Sequence, residues 1–549
     1  MKIDAIHFRP ESFKTSFAAL ACCACTAFAG LSTAQAEVKI TGPSPFAACT
    51  ADNVAGQEGT NYPNAEVEPW VASNPSRPRQ LLAGWQQDRW SNGGSRGLAS
   101  AYSSDGGLNW TTTVPKGVTK CAKGPYDRAS DPWVTISPDG TAYFMSLGFM
   151  NDEACPDGNT AGGDNSMIVH RSSDGGRTWG DAIALDLDTD GQIFNDKNAM
   201  TADPRDSSFV YASWDKLIDF TLVSECSSVV AAKSTAATTP SAEDLDQHGV
   251  GKARERLRLK REKSKSKALA PAPAEVTFTG PSYFVRTNNG GKTWEPEKLI
   301  FDPGPDAQTI NNLIEVLPNG TLINFFTHIL ADGSVELGMV KSTDKGATFG
   351  PMVKAFDMNV TANGTVTPDA LEPVRDANIL FDTAVDQENG NIYVVWQDGR
   401  KGDIDRVAFS MSSNAGRSWS APTFINATPS NANLKREQAF IPSIAVDDNH
   451  RVVVTYYDFR FDTNDGKERT DFWSIVCNAS ASNNCTAKSR WGSERRLTSG
   501  SFDMLDAPVA RGHFLGDYQG LVGAGNKVVS VFGKAVANDE NDMFSTRAR

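Results

Sequence analysis

Short apolar segments recur along the chain, and polar turns rich in Gly, Asp and Asn separate them. They come in pairs, in which the second segment ends in or near an aromatic residue. The first pair is Trp70–Ala72 with Leu81–Trp85, and the last is Gly520–Val522 with Val528–Phe532. Short apolar runs bounded by such turns predict antiparallel β-strands. Seven such pairs can be read, with first strands at residues 69–72, 131–134, 199–201, 313–316, 383–385, 443–446 and 520–522.

An eight-residue polar pattern, S/T-x-D/N-x-G-x-x-W/F, follows five of these pairs. Ser and Asp side chains satisfy local backbone donors, Gly tolerates positive φ, and the aromatic residue anchors the turn on its sheet. The pattern therefore predicts a tight turn that recurs with the strand pairs. Its copies begin at Ser103, Ser172, Thr287, Ser342 and Ser412.

The repeated turn resembles the Asp-box (BNR) repeat of the sialidase/neuraminidase superfamily and related β-propellers. The resemblance covers most of the chain after its N-terminal segment. It implies an all-β propeller fold, but it leaves the activity open, because a fold hosts many functions.

The seven pairs favour a seven-bladed β-propeller. The seventh unit ends at Met543–Ser545, one strand short of four, and Glu37–Thr41 can supply that strand and close the ring. Sialidases are six-bladed, so the alternative is six blades with an appended strand pair. We expect residues 37–549 to form this single domain.

The N-terminus has the pattern of a secretory signal peptide, residues 1–36. Lys2, Arg9 and Lys14 precede an apolar run over residues 17–31, and Ala34-Gln35-Ala36 offers a cleavage site. The run is too short to span a bilayer comfortably. We expect a secreted or periplasmic protein.

Six cysteines remain beyond residue 36, which suggests up to three disulfides in an exported chain. Cys477 and Cys485 are expected to close a hairpin. The net charge of −13 argues against nucleic acid or an acidic membrane surface as the main partner. We expect an acidic glycan as partner, and a monomer.

Residues 226–276 interrupt the third unit as an insertion. Its basic core, Lys252–Lys267, carries nine Lys or Arg residues and two Glu. The segment is either a solvated, partly disordered loop or a basic arm that grips an acidic glycan.

Candidate chemistry lies where first strands begin or second strands end, on the face opposite the repeated turns. An aromatic-Asp-Arg ending recurs at Arg89, Arg400 and Arg460. Guanidinium groups bind carboxylates bidentately, so these residues either face an acidic sugar or pair with aspartates between neighbouring blades and tie the rim together.

The sialidase resemblance implies an arginine triad on the sugar carboxylate, an Asp acid/base and a Tyr nucleophile. Asp88 or Asp131 is the candidate acid and Tyr518 the candidate nucleophile. The family's Phe/Tyr-Arg-x-Pro signature is missing from the mature chain, so these roles rest on predicted position alone. The candidate arginines are Arg128, Arg400, Arg460 and Arg511.

Two alternatives change the chemistry. His513, or His328, is the candidate centre of a polysaccharide lyase acting on uronate glycans. The third possibility is a non-catalytic binding propeller. No cofactor is expected, and although a structural calcium ion is conceivable, no loop has the ligand spacing of a calcium site.

Overall fold

The computed structural model describes residues 37–52, 59–154, 160–223, 276–402, 404–480, 484–537 and 539–549. Within these residues the regular structure consists of strands and four short 3-10 helices, which confirms the all-β prediction. The predicted signal peptide and nearly all of the predicted insertion lie outside the described residues. Residues 36–549 form one compact unit.

The strands are short and mostly buried, as the apolar segments predict. The first half of the chain contains β1 (Val38–Lys39), β2 (Glu66–Asn74), β3 (Arg77–Arg89), β4 (Ser95–Ser103), β5 (Thr111–Thr113), β6 (Arg128–Ile136), β7 (Ala142–Phe149), β8 (Glu153–Ala154), β9 (Thr160–Ala161), β10 (Asn165–Ser172), β11 (Ile183–Asp188), β12 (Ile193–Ala202), β13 (Val210–Asp219), β14 (Phe278–Thr279), β15 (Ser282–Thr287) and β16 (Lys298–Phe301).

The second half continues with the same strand lengths. It contains β17 (Gln308–Val316), β18 (Leu322–Ile329), β19 (Val335–Ser342), β20 (Val353–Asp357), β21 (Phe381–Val385), β22 (Ile392–Asp398), β23 (Arg406–Ser412), β24 (Thr423–Phe424), β25 (Ala439–Val446), β26 (Arg451–Asp458), β27 (Arg469–Asn478), β28 (Trp491–Arg496), β29 (Phe502–Asp503), β30 (Gly520–Ala524), β31 (Lys527–Ala535) and β32 (Asn541–Arg547). The 3-10 helices are Lys120–Ala122, Leu434–Glu437, Lys488–Arg490 and Met504–Asp506.

The sheets are antiparallel meanders. Two have the order β17-β18-β19-β20 and β21-β22-β23-β24, and two more have the orders β12-β13-β15-β16 and β25-β26-β27-β28 with one short extra strand each. Strands β2 to β7, β10 and β11 form an eight-stranded sheet in which Ser95 of β4 pairs with Ala129 of β6. Each of the seven predicted strand pairs is hydrogen-bonded.

The two ends of the described chain share a sheet. Strand β1, from the predicted segment Glu37–Thr41, pairs with β32, so that Val38 lies opposite Ser545. The resulting strand order is β1-β32-β31-β30. Along the chain, the first strands β2, β6, β12, β17, β21, β25 and β30 each contact the next, and β30 also contacts β2.

The five repeated turns have the same internal hydrogen bonds. In the first copy, Ser103 Oγ donates to Asp105 Oδ1 (2.9 Å), and the amide of Gly107 donates to Ser103 Oγ (3.0 Å). The other four copies repeat this pair of bonds. Each turn joins the third strand of a group to its fourth, so all five follow the same step of the meander.

Two disulfides lie within the described residues. Cys477–Cys485 closes a hairpin after β27, which confirms that predicted pair, and Cys49–Cys121 links the N-terminal segment to the first 3-10 helix. The remaining predicted cysteines, Cys155 and Cys226, fall outside the described residues. No helix in the described part of the chain is long and apolar enough to cross a membrane.

Candidate active site

Five first strands carry a β-bulge at a corresponding position. In each, the register shifts by one residue and a non-glycine residue adopts positive φ. Such backbone is costly for residues with a Cβ and clusters at functional sites, where a bulge redirects a side chain. The five residues are Glu68 (φ 57°), Asp131 (52°), Lys197 (47°), Asn311 (65°) and Ile441 (49°).

Two of the bulge residues are carboxylic acids joined by a short polar chain. Gln86 Nε2 donates to the Glu68 carboxyl group and lies 2.9 Å from Ser130 Oγ. Ser130 Oγ in turn donates to Asp131 Oδ1 at 2.7 Å. Glu68 and Asp131 are both buried, so this chain fixes the two carboxyl groups on adjacent strands β2 and β6.

The third bulge residue supplies a buried cation. Lys197 Nζ lies 3.0 Å from Asp517 Oδ2 and 4.0 Å from Glu68 Oε1. Arg375, from the segment before β21, binds the same Asp517 carboxylate with both Nε (2.9 Å) and Nη2 (2.7 Å). One carboxylate therefore receives a bidentate guanidinium and an ammonium group, which is a strong arrangement when desolvated.

An aromatic group lies beside these charges. Trp70 and Trp133, each two residues after a bulge acid, stack at 3.7 Å between ring centroids, and Tyr518 contacts both edge-on at 6.0 and 5.4 Å. Lys197 Nζ lies 4.9 Å from the centroid of the Tyr518 ring. The phenol is thus held between an aromatic pair and an ammonium group.

Burial sets the protonation of the acids in this cluster. The pKa of Glu68 is raised to about 8, because burial together with Asp131 and Asp517 outweighs the opposing effect of Lys197. Burial also raises the pKa of Tyr518 well above its usual value, with a contribution from Glu68. At neutral pH, Glu68 and Tyr518 are therefore both uncharged proton donors.

The pKa values of Arg89 and Lys197 are shifted in opposite directions. Burial and the neighbouring Arg375 lower the pKa of Arg89 to about 9. Burial alone would lower the pKa of Lys197, but Asp517 and Asp131 reverse this effect and raise it. Lys197 is therefore charged at all working pH values.

The cluster leaves little free space. The cavity lined by Trp70, Trp133, Asp517 and Tyr518 has a volume of about 20 Å³, enough for one water molecule and not for a sugar ring. Phe514, from the segment before β30, covers the cations, because its ring centroid lies 4.9 Å from Arg89 Cζ and 4.3 Å from Arg375 Cζ.

The structure brings together two of the predicted catalytic residues, Asp131 and Tyr518. It places Asp88 elsewhere, where its carboxylate accepts hydrogen bonds from Ser44 Oγ (2.7 Å) and from the amide of Asn64 (3.0 Å). The ring of His513 lies with Nδ1 3.4 Å from the carbonyl oxygen of Ala507.

The predicted arginines are dispersed. Arg128 donates to the carbonyl oxygen of Gly93 and stacks on Trp90, and burial lowers its pKa to about 10. Arg511 is exposed but close enough to Arg89 to lower the pKa of that residue.

Arg400 and Arg460 each bind the aspartate of their own strand ending. Arg400 Nε donates to Asp398 Oδ1 at 2.7 Å, and Arg460 Nε donates to Asp458 Oδ2 at 2.7 Å. Arg460 also pairs with Glu494 at 2.6 Å. Both Asp–Arg pairs are therefore local to one strand ending, whereas the rim-tying alternative expects pairs between neighbouring blades.

Four residues of the cluster had no predicted role: Glu68, Lys197, Arg375 and Asp517. A signal for Glu68 exists in the sequence, because Glu68-Pro69-Trp70 and Asp131-Pro132-Trp133 share an acid-Pro-Trp pattern at the start of two units. Arg375 and Asp517 are 142 residues apart, and nothing in their local sequence indicates that they meet.

No known family model matches the chain, and no curated protein matches it. Among solved structures, it is similar to a protein of unknown function from Dyadobacter fermentans, with a TM-score of 0.44 and 12% identity over 90% of this chain and 99% of that one. It is also similar to the Hadza microbial sialidase Hz136 (TM-score 0.42, 14% identity, 86% and 75% of the two chains).

A third similar structure is the GH93 α-L-arabinofuranosidase of Fusarium graminearum in complex with arabinobiose. The TM-score is 0.41 and the identity 11%, over 77% of this chain and 92% of that one. At such scores and identities, no residue role or activity is transferred from any of these structures.

Proposed function

We propose that the chain is a secreted seven-bladed β-propeller glycoside hydrolase that releases a terminal acidic sugar, with sialic acid as the first candidate. The single observation that carries the proposal is the convergence of two linked carboxyl groups, a tyrosine and several cations at one end of the first strands. Glycosidases need a proton donor and a nucleophile or base beside the scissile bond, and this cluster offers both.

The proposed architecture accounts for the strand contacts. Seven groups of four strands can be drawn from the sheets, with β1 completing the group of β30, β31 and β32. The first strands contact one another in chain order and back to β2, as blades around an axis would. The predicted leader and the two disulfides support export.

The proposed roles follow from position. Asp131, tied to Ser130 and facing Lys197, donates a proton to the leaving-group oxygen as the glycosidic bond breaks. Tyr518 Oη attacks the anomeric carbon, and its phenolic proton passes to the ionised form of Glu68, the carboxyl group whose charge acts on the phenol. A neutral phenol approaches an anionic sugar with less repulsion than a carboxylate does, and the raised pKa keeps Tyr518 neutral. The buried cations favour a ligand that carries a carboxylate.

The test is release of fluorophore from a fluorogenic sialoside by residues 37–549, compared with Tyr518→Phe and Asp131→Asn. Both variants should lose at least 100-fold in kcat/KM, a typical contribution of a general acid. Arg400→Ala is the matched control, since Arg400 binds only its local partners, and it should keep near-normal activity.

Turnover that is unchanged in both variants would refute the assigned roles. No turnover of any sialoside would remove sialic acid as substrate. A product from uronate glycans that absorbs in the ultraviolet, as an unsaturated uronate does, would instead indicate the lyase alternative.

A second candidate function is glycan or protein binding without catalysis. It is favoured by the small free volume of the cluster and by the pairing of Asp517 with both Arg375 and Lys197 inside the fold. This candidate predicts that glycans bind without being cleaved. Tyr518→Phe should then change the binding enthalpy only by the contribution of the lost hydroxyl group.

A further inference from the structure

A six-residue segment, Gly512–Asp517, fills the charged end of the first strands; we call it the plug. It enters the cluster from the loop before β30 and inserts Phe514 and Asp517 among the cations. Phe514 is fully buried although it lies between exposed Arg511 and the strand. All six residues of the plug are buried, and Phe514 and Asp517 are the two side chains that reach the cations.

The contacts of the plug are those of a ligand. Its carboxylate, on Asp517, is gripped bidentately by Arg375 and by Lys197 at 3.0 Å. Its ring, on Phe514, covers the guanidinium groups of Arg89 and Arg375. A carboxylate clasped by a guanidinium fork beside a ring is how a protein recognises a cyclic acid.

Two glycines of the plug, at its first position and directly before Asp517, have conformations that other residues rarely adopt. Gly512 has φ 130° and Gly516 has φ 133°. A Cβ at Gly512 would lie 2.8 Å from the amide nitrogen of Arg375, and one at Gly516 would lie 2.6 Å from that of Glu68. Glycine permits both the close approach and a later change of backbone angle, so the two positions can serve as hinges.

Five backbone hydrogen bonds hold the plug in place. The amide of Arg375 donates to the carbonyl oxygen of His513 (3.0 Å), and that of His513 donates to Pro373 (2.9 Å). The amide of Phe514 donates to the carbonyl oxygen of Pro508 at 2.9 Å. The amide of Ala510 donates to the carbonyl oxygen of Gly512 (2.9 Å), and that of Glu68 in β2 donates to Leu515 (3.4 Å). Displacement of the plug therefore breaks five backbone bonds, one of them to a strand.

We propose that the plug is an internal occupant of a carboxylate-binding site formed by Arg89, Lys197 and Arg375, and that a cyclic acidic ligand binds by displacing it. The choice of sugar rests on the proposed function, whereas the carboxylate site does not. The apparent affinity for the ligand is reduced by the fraction of molecules in which the plug is in place.

The test measures binding of two probes, N-acetylneuraminic acid and benzoate, by isothermal titration calorimetry to wild type and Asp517→Asn. The substitution removes the competing carboxylate and keeps the side-chain shape, so it should tighten binding of both probes at least tenfold. The charge-matched control is Glu388→Gln, whose side chain is 78% exposed, and it should leave both affinities unchanged.

Phe514→Ala is the second variant, because it opens the guanidinium faces without removing a buried charge. It should also tighten benzoate binding. Hydrogen exchange on wild type needs no substitution: saturating probe should speed exchange of the amides of Arg375, His513 and Phe514, which lose their partners when the plug leaves. Unchanged or weaker binding in both variants, or protection of these amides by bound probe, would overturn the proposal.

The outcomes separate this proposal from the proposed function. Tighter benzoate binding in Asp517→Asn with no sialoside turnover leaves the carboxylate site standing and removes the sialidase activity. Sialoside turnover with no gain in affinity in either variant leaves the activity standing and identifies the plug as a fixed part of the fold.

Discussion

The buried carboxyl group of Glu68 makes a specific prediction for stability as a function of pH. Burial raises its pKa from the ordinary value of 4.5 to about 8, so the native protein keeps a proton that the unfolded chain releases above its own pKa. A group of this kind stabilises the fold fully at low pH. Its contribution is lost as the pH rises from about 4.5 through about 8. Glu68→Gln removes this titration and keeps the size of the side chain.

The size of the effect follows from the shift. Each pH unit between the two pKa values costs the wild type about 1.4 kcal/mol of unfolding free energy through this one group. Between pH 5 and pH 7 the wild type should therefore lose about 2.7 kcal/mol relative to Glu68→Gln. Other buried acids, such as Asp215 and Asp382, each with a pKa of about 8, add to the wild-type slope, but they are present in both proteins and cancel in the difference.

The assay is urea unfolding followed by tryptophan fluorescence at pH 5, 6, 7 and 8, on wild type, Glu68→Gln and the exposed control Glu388→Gln. At pH 5 the unfolding free energies of wild type and Glu68→Gln should agree within about 1 kcal/mol, since Glu68 is then neutral in the native protein. They should diverge as the pH rises, with Glu68→Gln the more stable. The control should differ from wild type only through His450, which Glu388 contacts at 3.2 Å and whose pKa it helps to raise.

Parallel curves for wild type and Glu68→Gln would refute the reasoning. So would a variant that is less stable than wild type at pH 8, because that result means that Glu68 is ionised in the native state and paired with Lys197. Glu68 Oε1 and Lys197 Nζ lie 4.0 Å apart, so an ionised Glu68 could form a stabilising ion pair with Lys197.

Two further substitutions test packing outside the cluster. Arg460 lies 3.7 Å from the ring centroid of Trp473 and pairs with two carboxylates, so Arg460→Ala should lower the free energy of unfolding by about 3 kcal/mol. Arg400→Ala should lower it by less than about 1 kcal/mol. Chemical denaturation measures both losses, and equal losses would contradict the difference in burial between the two arginines. A Cβ at Gly124 would lie 2.2 Å from the carbonyl oxygen of Val118, so Gly124→Ala should lower the free energy of unfolding by about 1–3 kcal/mol. Gly492→Ala should lower it little, because nothing lies within 4 Å of a Cβ at that position. Similar melting temperatures for the two variants would refute this predicted difference.

The strands were predictable because their signals are local. An apolar run, a turn and a second run ending in or near an aromatic residue define each pair within 13 to 17 residues, a span over which sequence pattern is informative. The hairpin disulfide Cys477–Cys485 was predictable for the same reason, since eight residues separate its ends. Such features depend little on the rest of the chain.

The site was only partly predictable because its contacts are long-range. Asp131 and Tyr518 meet because each lies at the start of a first strand, a position that the strand pattern gives. The sequence places Arg400 two residues after Asp398, and this spacing favours a local pair at the strand end. The same spacing separates Arg460 from Asp458. The pairing of Arg375 with Asp517 joins two loops. Loops have no regular pattern of apolar residues from which their conformation could be predicted.

The plug also constrains which ligands can open the site. Displacing Asp517 leaves Arg375 and Lys197 buried with one carboxylate fewer, and uncompensated buried charge costs several kcal/mol. A neutral sugar does not offset that cost, because its hydroxyl groups carry no charge. A ligand carboxylate restores the balance and differs from the plug only in its remaining contacts. The requirement for an acidic ligand therefore follows from Asp517 itself, and it holds whether the ligand is cleaved or only bound.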